Sequence, residues 1–259
     1  MPSVAVVTGA SRGVGRGVAT ALDAEGLVVY ATGRTVARAE LPPAVRRLPC
    51  DHTRDDEVEA AFARVLAEAG RIDLLVNNAW GGYEGMVEGD RFTWPAPFWE
   101  QPLRRWDAMF QAGVRAAYAA SRLAARPMVA ARRGLIVNIS YWAAQKHMGN
   151  AAYGAAKAAT DKLSHDLAEE LRPHGVSALS LYPGLVRTEA VLAAAAEGHL
   201  DLANSESPEF TGRVVAALLR DPNLARLSGG VHVGATLARG YGIVDVDGRS
   251  PDPLTLERA

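Results

Sequence analysis

Two groups of residues in this 259-residue chain carry chemistry by type and spacing. The first is Tyr153-Gly154-Ala155-Ala156-Lys157. A tyrosine and a lysine four residues apart on a helix stand one above the other on the same face. The ammonium then favours the tyrosinate. Bringing a phenol from about 10 toward neutrality takes about 3 units, or roughly 4 kcal/mol of differential stabilisation. A fixed ammonium and the charge of a dinucleotide can supply that, and Tyr153 then gives or takes a proton near neutral pH. The second group is the turn Thr8-Gly9-Ala10-Ser11-Arg12-Gly13-Val14-Gly15. Gly9, Gly13 and Gly15 form T-G-x-x-x-G-x-G, not the wider dinucleotide fingerprint, but the physics is shared. The turn is tight, the backbone approaches a pyrophosphate closely, and a helix N-terminus faces the anion. Ser11, Arg12 and Val14 are expected to touch the cofactor with the glycines.

The next strand selects the cofactor. Folds of this kind that use NAD place an acid about 20 residues after the glycines for the adenosine ribose. Here the segment reads Tyr30-Ala31-Thr32-Gly33-Arg34-Thr35, with no acid. Arg34 and Arg12 together can clamp a 2′-phosphate with charge-assisted bonds, which predicts NADP(H). Asp51, after the third strand, either accepts from the adenine amino group or caps its own turn with Thr53.

These groups need a frame. Short apolar strands are expected at Val4–Val7, Val28–Ala31, Val45–Pro49, Ile72–Val76, Leu135–Ile139, Val176–Leu181 and Val231–Val233. Helical periodicity covers Val14–Glu25, Asp55–Ala69, Leu103–Ala131, Ala151–Arg172 and Pro208–Leu219. Nearly continuous apolar strands between helices predict an α/β fold: one doubly wound Rossmann domain over residues 1–259, with about seven parallel strands and helices on both faces. Two segments interrupt the alternation, 80–106 and 185–209. Both follow strands at their carboxyl ends, where open α/β sheets bind ligands. The first holds Trp80, Tyr83, Trp94, Phe98 and Trp99, and is either a loop packed on itself or a substrate wall. With Trp142, these aromatics are expected near the rim of a hydrophobic pocket.

Composition removes other classes. Net charge is -1 with no basic stripe, which argues against nucleic acid. No apolar run approaches a membrane span. Val4–Val7 leads straight into the glycine turn and reads as a core strand rather than a leader. Cys50 is the only cysteine, so no intramolecular disulfide forms, and the six histidines have no ligand spacing. A cytoplasmic protein without a metal is the expectation.

With these residues assembled, the chain resembles a short-chain dehydrogenase/reductase. Beyond the glycine turn and Tyr153/Lys157 it has Asn77-Asn78-Ala79 after the fourth strand. It also has Ser140 thirteen residues before Tyr153, and Pro183-Gly184-x-x-x-Thr188 after the sixth strand. Phe98-Trp99-Glu100-x-Pro102, Trp106-Asp107, Asp161-Lys162-Leu163 and Asp245-Val246-Asp247-Gly248 sharpen the resemblance toward the family's member 1 subgroup. The resemblance implies a carbonyl reductase or alcohol dehydrogenase acting on hydrophobic small molecules. Tyr153 would protonate the carbonyl oxygen as hydride arrives, Lys157 would bind the nicotinamide ribose and lower the tyrosine pKa, and Ser140 would hydrogen-bond the substrate oxygen. Asn77, Asn78 and Ala79 would line the adenosine side, and Pro183, Gly184, Val186 and Thr188 the nicotinamide side. Family members pair their long Ala-rich helices between subunits, which implies a homodimer or homotetramer. A non-catalytic NADP(H)-binding sensor or scaffold is the alternative, since fold alone does not separate the two.

Two departures stand out. Many members carry an asparagine in the helix after the fourth strand, and alignment puts Gly113 there. Counting back from Tyr153 selects Ser140 as the hydroxyl for the substrate oxygen, whereas counting from the fifth strand selects Tyr141; the first count is favoured. Trp80, where the family often has glycine, is expected with Tyr141 and Trp142 to line and narrow the pocket.

Overall fold

The computed structural model describes every residue except Glu84, Asp90 and Ala259. Seven strands form one parallel sheet: β1 (Val4–Val7), β2 (Val28–Gly33), β3 (Arg46–Pro49), β4 (Leu74–Asn77), β5 (Gly134–Ile139), β6 (Val176–Tyr182) and β7 (Val231–Val233). Their order is β7-β6-β5-β4-β1-β2-β3. The order reverses beside β1, between β1 and β4, which is the switch point where such sheets open a crevice at their carboxyl edge. The expected doubly wound α/β sheet is therefore present, its strand ends moved by one or two residues.

Alternation along the strands feeds two cores. Ala5, Val7, Leu74 and Val76 pack with α1 (Gly13–Ala24), α7 (Pro208–Arg220) and α8 (Gly234–Tyr241) on one face. Val4, Val6, Leu75 and Ile136 pack with α2 (Asp55–Ala69), α4 (Ala116–Ala131) and α5 (Ala151–Leu171) on the other. The helical pattern read over 103–131 divides into α3 (Leu103–Met109), a π-helical stretch Phe110–Arg115, and α4. A π-helical insert of this kind re-aims the side chains within it. The segment after β6 contains α6 (Glu189–Ala196), an Ala-rich helix with no buried residue. Periodicity did not find it, because a helix of alanines has no apolar stripe.

The carboxyl edge is tied together by Thr8. Its Oγ1 accepts from the backbone N–H groups of Asn78 and Ala79, each at 3.0 Å, and donates to Val76 O at 3.4 Å. The Asn78 amide donates back to Gly9 O at 3.0 Å. One hydroxyl with every hydrogen-bonding site in use thus fixes the glycine turn against the end of β4.

Gly212 sets the approach of α7 to α1. A Cβ there would lie 2.7 Å from Ala21 Cβ and 2.8 Å from Val18 Cα. Gly212→Val therefore gains about 1 kcal/mol of helix propensity at most, and forces the two helices apart at a larger cost. We expect a melting temperature lower by about 4–8 °C, for roughly 2 kcal/mol lost. A variant melting with the wild type would remove this account of the glycine.

Candidate active site

Helix α5 places the tyrosine and the lysine. Asn150 caps it, its Oδ1 accepting from Tyr153 N at 3.0 Å, while its Nδ2 donates to Trp94 O at 3.2 Å. The cap fixes the first turn of the helix, where Tyr153 lies, and ties it to the segment after β4. Lys157 follows one turn on, and both side chains are buried. The Lys157 ammonium donates to Ile139 O at 3.2 Å and sits 4.1 Å above the centre of the Trp80 ring. It is 5.9 Å from the centre of the Tyr153 ring.

The expected lowering of the tyrosine pKa is not what this geometry produces. Burial, then the adjacent Tyr83 phenol, pushes Tyr153 well above the ordinary tyrosine value. Burial also pulls Lys157 down to about 8, with the Asp161 charge opposing it. The ammonium leans on the indole and a carbonyl, and the phenol is enclosed by rings. Tyr83 donates to the Tyr153 hydroxyl at 3.3 Å, and Trp80 and Trp94 meet its ring edge-on at 5.7 and 5.3 Å. Of the aromatics expected at the rim, Trp80, Tyr83 and Trp94 surround Tyr153. Phe98 and Trp99 instead pack edge-on against each other and are exposed.

Three of the predicted side chains point elsewhere. Ser140 is buried and its Oγ donates to Lys157 O at 3.3 Å, on the backbone of α5. Tyr141 packs in the cluster with Tyr153, Met109 and Trp80. Side chains alternate along the chain leaving β5, so Ser140 follows Asn138 toward α5 while Tyr141 turns to the cluster. The count from β5 leads to the tyrosine that packs in the cluster with Tyr153. Asn77 turns away from the crevice: its Nδ2 donates to Asn138 Oδ1 at 2.8 Å and Ser121 Oγ at 2.9 Å. Asn138 passes the chain on to Ser164. These buried polar groups bond to one another beneath the site, although Asn77 Oδ1 has no hydrogen-bond partner among the described residues. Trp142, the third, packs edge-on against Tyr182 at 5.2 Å and is not part of the cluster around Tyr153.

On the dinucleotide side, Gly9, Ser11, Arg12, Gly13, Val14 and Gly15 form the turn into α1. Gly15 and Gly9 are demanded by close approach, since Cβ atoms there would lie 2.4 Å from Gly9 O and 2.7 Å from Ala79 Cα. Thr188 lies against Gly13, so the loop Pro183, Gly184, Val186 and Thr188 meets the turn across the crevice. Thr188 caps α6 through Val191 N at 3.4 Å. Glu189 next to it accepts from Gly13 N at 3.1 Å and pairs with Arg16 at 2.9 Å. A carboxylate thus rests on the N-terminus of α1, so the donors there suit an anion. The residues fit an anionic dinucleotide on that observation. Arg12 and Arg34 are exposed at this edge. Asp51 takes the capping role, accepting from Thr53 N at 2.9 Å and Thr53 Oγ1 at 2.7 Å. Burial raises its carboxyl, but those bonds and the Arg34 charge outweigh it and hold the carboxyl below its usual value. Asn150 and Glu189 were not anticipated. An asparagine three residues before Tyr153 is a legible cap signal, whereas Glu189 depends on a contact 176 residues long.

The short chain dehydrogenase family model matches residues 3–197. The mouse protein "Dehydrogenase/reductase SDR family member 1" is 43% identical over 95% of this chain and 84% of its own length. L-xylulose reductase of Bos taurus is 35% identical over 71% of this chain and 72% of its own. A solved structure of a short chain dehydrogenase/reductase family protein matches with a TM-score of 0.73 at 31% identity, covering 91% of this chain and 97% of that one.

The cap is open to test. Asn150→Ala should cost about 1 kcal/mol and lower the melting temperature by roughly 2–4 °C, while Asn150→Asp, which keeps the acceptor, should stay within 1 °C of wild type. Equal losses in both would show that the amide's bond to Trp94 O, not the cap, is what matters.

Proposed function

The chain belongs to the short-chain dehydrogenase/reductase family, in its member 1 subgroup, and on that premise we propose that it is an NADP(H)-dependent oxidoreductase interconverting hydrophobic ketones or aldehydes with alcohols. The observation that carries this reading is the pair Tyr153 and Lys157, one turn apart on α5 and buried among aromatic rings at the carboxyl edge of the sheet. A non-catalytic sensor has no use for an acid and an ammonium so placed.

When bound, the nicotinamide dinucleotide supplies or accepts the hydride. Gly9, Gly13, Gly15 and the N-terminus of α1 would hold its diphosphate once Glu189 releases Gly13 N. Arg12 and Arg34 would take the 2′-phosphate, with Ser11, Val14, Asn78 and Ala79 at the adenosine end. Pro183, Gly184, Val186 and Thr188 would hold the nicotinamide end. The remaining work belongs to this chain. Tyr153 Oη gives its proton to the substrate oxygen in reduction and takes it back in oxidation. Lys157 carries the positive charge that favours the phenolate left behind. Tyr141 Oη, from the cluster beside Tyr153, is the donor assigned to the substrate oxygen in place of Ser140. Tyr83 must leave the Tyr153 hydroxyl for a carbonyl to reach it. Segments 80–106 and 185–209 then close the pocket and exclude water. In the same reading the outer faces of α4 and α5 pair between subunits, and no helix among the described residues is long and apolar enough to cross a membrane.

The primary test follows NADPH oxidation with a panel of ketones, quinones and steroids, with NADH in parallel. We expect turnover with NADPH over NADH, loss of that preference in Arg34→Asp, and loss of turnover with retained NADPH binding in Tyr153→Phe. No turnover on any carbonyl despite NADPH binding would support the sensor instead. For the two hydroxyls, Tyr141→Phe should lower kcat about 100-fold, the scale for losing one donor to a developing oxyanion. Ser140→Ala should leave kcat within about threefold and cost about 1 kcal/mol of stability through its buried bond. The reverse ranking would return the donor role to Ser140.

A further inference from the structure

Lys157 poses a problem of charge burial. It is 7% exposed, and an ammonium has three N–H donors to satisfy. Ile139 O takes one of them at 3.2 Å. A second contact with the nitrogen is the face of Trp80, 4.1 Å from the ring centre, well within the range of a cation–π interaction. The indole is held there by several constraints. Its six-membered ring lies where any side chain at position 113 would go: a Cβ on Gly113 would be 2.8 Å from both Cε3 and Cζ3. Gly81 and Gly82 press the following backbone onto α3, where Cβ atoms would lie 2.8 Å from Ala108 O and 2.7 Å from the Met109 side chain. Tyr83 and Tyr153 enclose the ring from two further sides at 5.8 and 5.7 Å.

We propose that Trp80 is the positioning residue for Lys157: seated in the space that Gly113 leaves open, its π face holds the ammonium beneath Tyr153 and compensates for the water that burial removes. Trp80 thus acts through Lys157 and needs no contact with the reacting atoms. The assignment rests on the reading of Lys157 as the partner of Tyr153, but the seat itself is a physical property of the chain and is measurable apart from turnover. Gly113 makes the room for it, since a side chain at 113 and the indole at 80 compete for one volume. The other groups placed against the ammonium are Asp161, whose charge acts on it, and the Tyr153 ring, both from α5. Burial raises the Asp161 carboxyl, with bonds from Tyr182, Ser140 and Ser180 and the Lys157 charge opposing it.

The chain has three lysines, Lys146, Lys157 and Lys162, so lysine labelled with carbon-13 at Cε gives a spectrum simple enough to assign by single replacement. In the wild type the Lys157 Cε methylene should be shifted upfield by the indole ring current relative to Lys146 and Lys162, and should titrate near pH 8. Trp80→Leu keeps bulk but has no π face. Its Lys157 signal should lose the ring-current shift and titrate roughly one unit lower, because the charged form has lost a stabilising contact. Trp80→Phe keeps a π face, and should retain part of the shift and most of the midpoint. Gly113→Ala should disturb the same signal by displacing the indole, with neither Trp80 nor Lys157 replaced. Upfield shift in wild type with no change of midpoint in Trp80→Leu would overturn the proposal, as would a wild-type Lys157 signal coincident with the other lysines. The arms separate from the functional reading. A shifted, Trp80-dependent signal in a chain that reduces no carbonyl leaves the seat standing and removes the enzyme. Turnover with an unshifted signal does the opposite. If both hold, Trp80→Leu should lower kcat about tenfold, with partial rescue in Trp80→Phe.

Discussion

The burial of one positive charge constrains the site more than any other interaction. Removing an ammonium from water costs several kcal/mol unless its surroundings replace the lost solvation. Around Lys157 the replacement comes from three directions: a backbone carbonyl at the end of β5, an indole from the segment after β4, and the carboxyl of Asp161 one turn along α5. Each is delivered by a different element, so the lysine is held only when the sheet, α5 and the segment after β4 are all in place. Burial then raises Tyr153 as it lowers Lys157, and so moves the acid strengths of the two side chains apart, the ammonium becoming the stronger acid.

A second layer of polar groups supports this arrangement from below. Asn77, Asn138, Ser121 and Ser164 exchange hydrogen bonds between β4, β5, α4 and α5, and Ser164 meets Ser180 on β6 at 2.7 Å. Tyr182 donates to Asp161, and Ser140 bonds into the same group. Such buried networks specify one packing of the helices on the sheet. Asn77 and Ser140 belong here, and both had been read as facing a ligand. Their residue types suit either side of a strand; only the pleat decides which.

The anion end is organised differently. There the backbone does the work, through a glycine turn pinned by Thr8 and Asn78 to the end of β4. The carboxylate of Glu189 on the N-terminus of α1 links this turn to the loop after β6, so the two walls of the crevice touch across it. In the proposed function, a dinucleotide entering between them would exchange one anion for another rather than fill an uncharged slot.

Much of this protein is determined by its sequence alone. Seven short apolar strands alternating with helices specify a parallel sheet, because buried parallel strands read as nearly continuous apolar runs. The glycine turn and the Tyr153/Lys157 spacing are local patterns, and local patterns survive without knowledge of the fold. Asn150 was legible as well, by the same capping rule that places it. What the sequence did not determine is the direction of side chains where the count is ambiguous by one residue. A shift of one along an extended chain reverses the face, which separates Ser140 from Tyr141. Nor did it determine which distant residues share a volume. Trp80 and Gly113 lie on different elements, as do Gly13 and Glu189, and their contacts exist only because the sheet order brings the carboxyl ends of β1, β4, β5 and β6 to one edge. Periodicity reports which face of an element is buried; the tertiary structure decides what it is buried against.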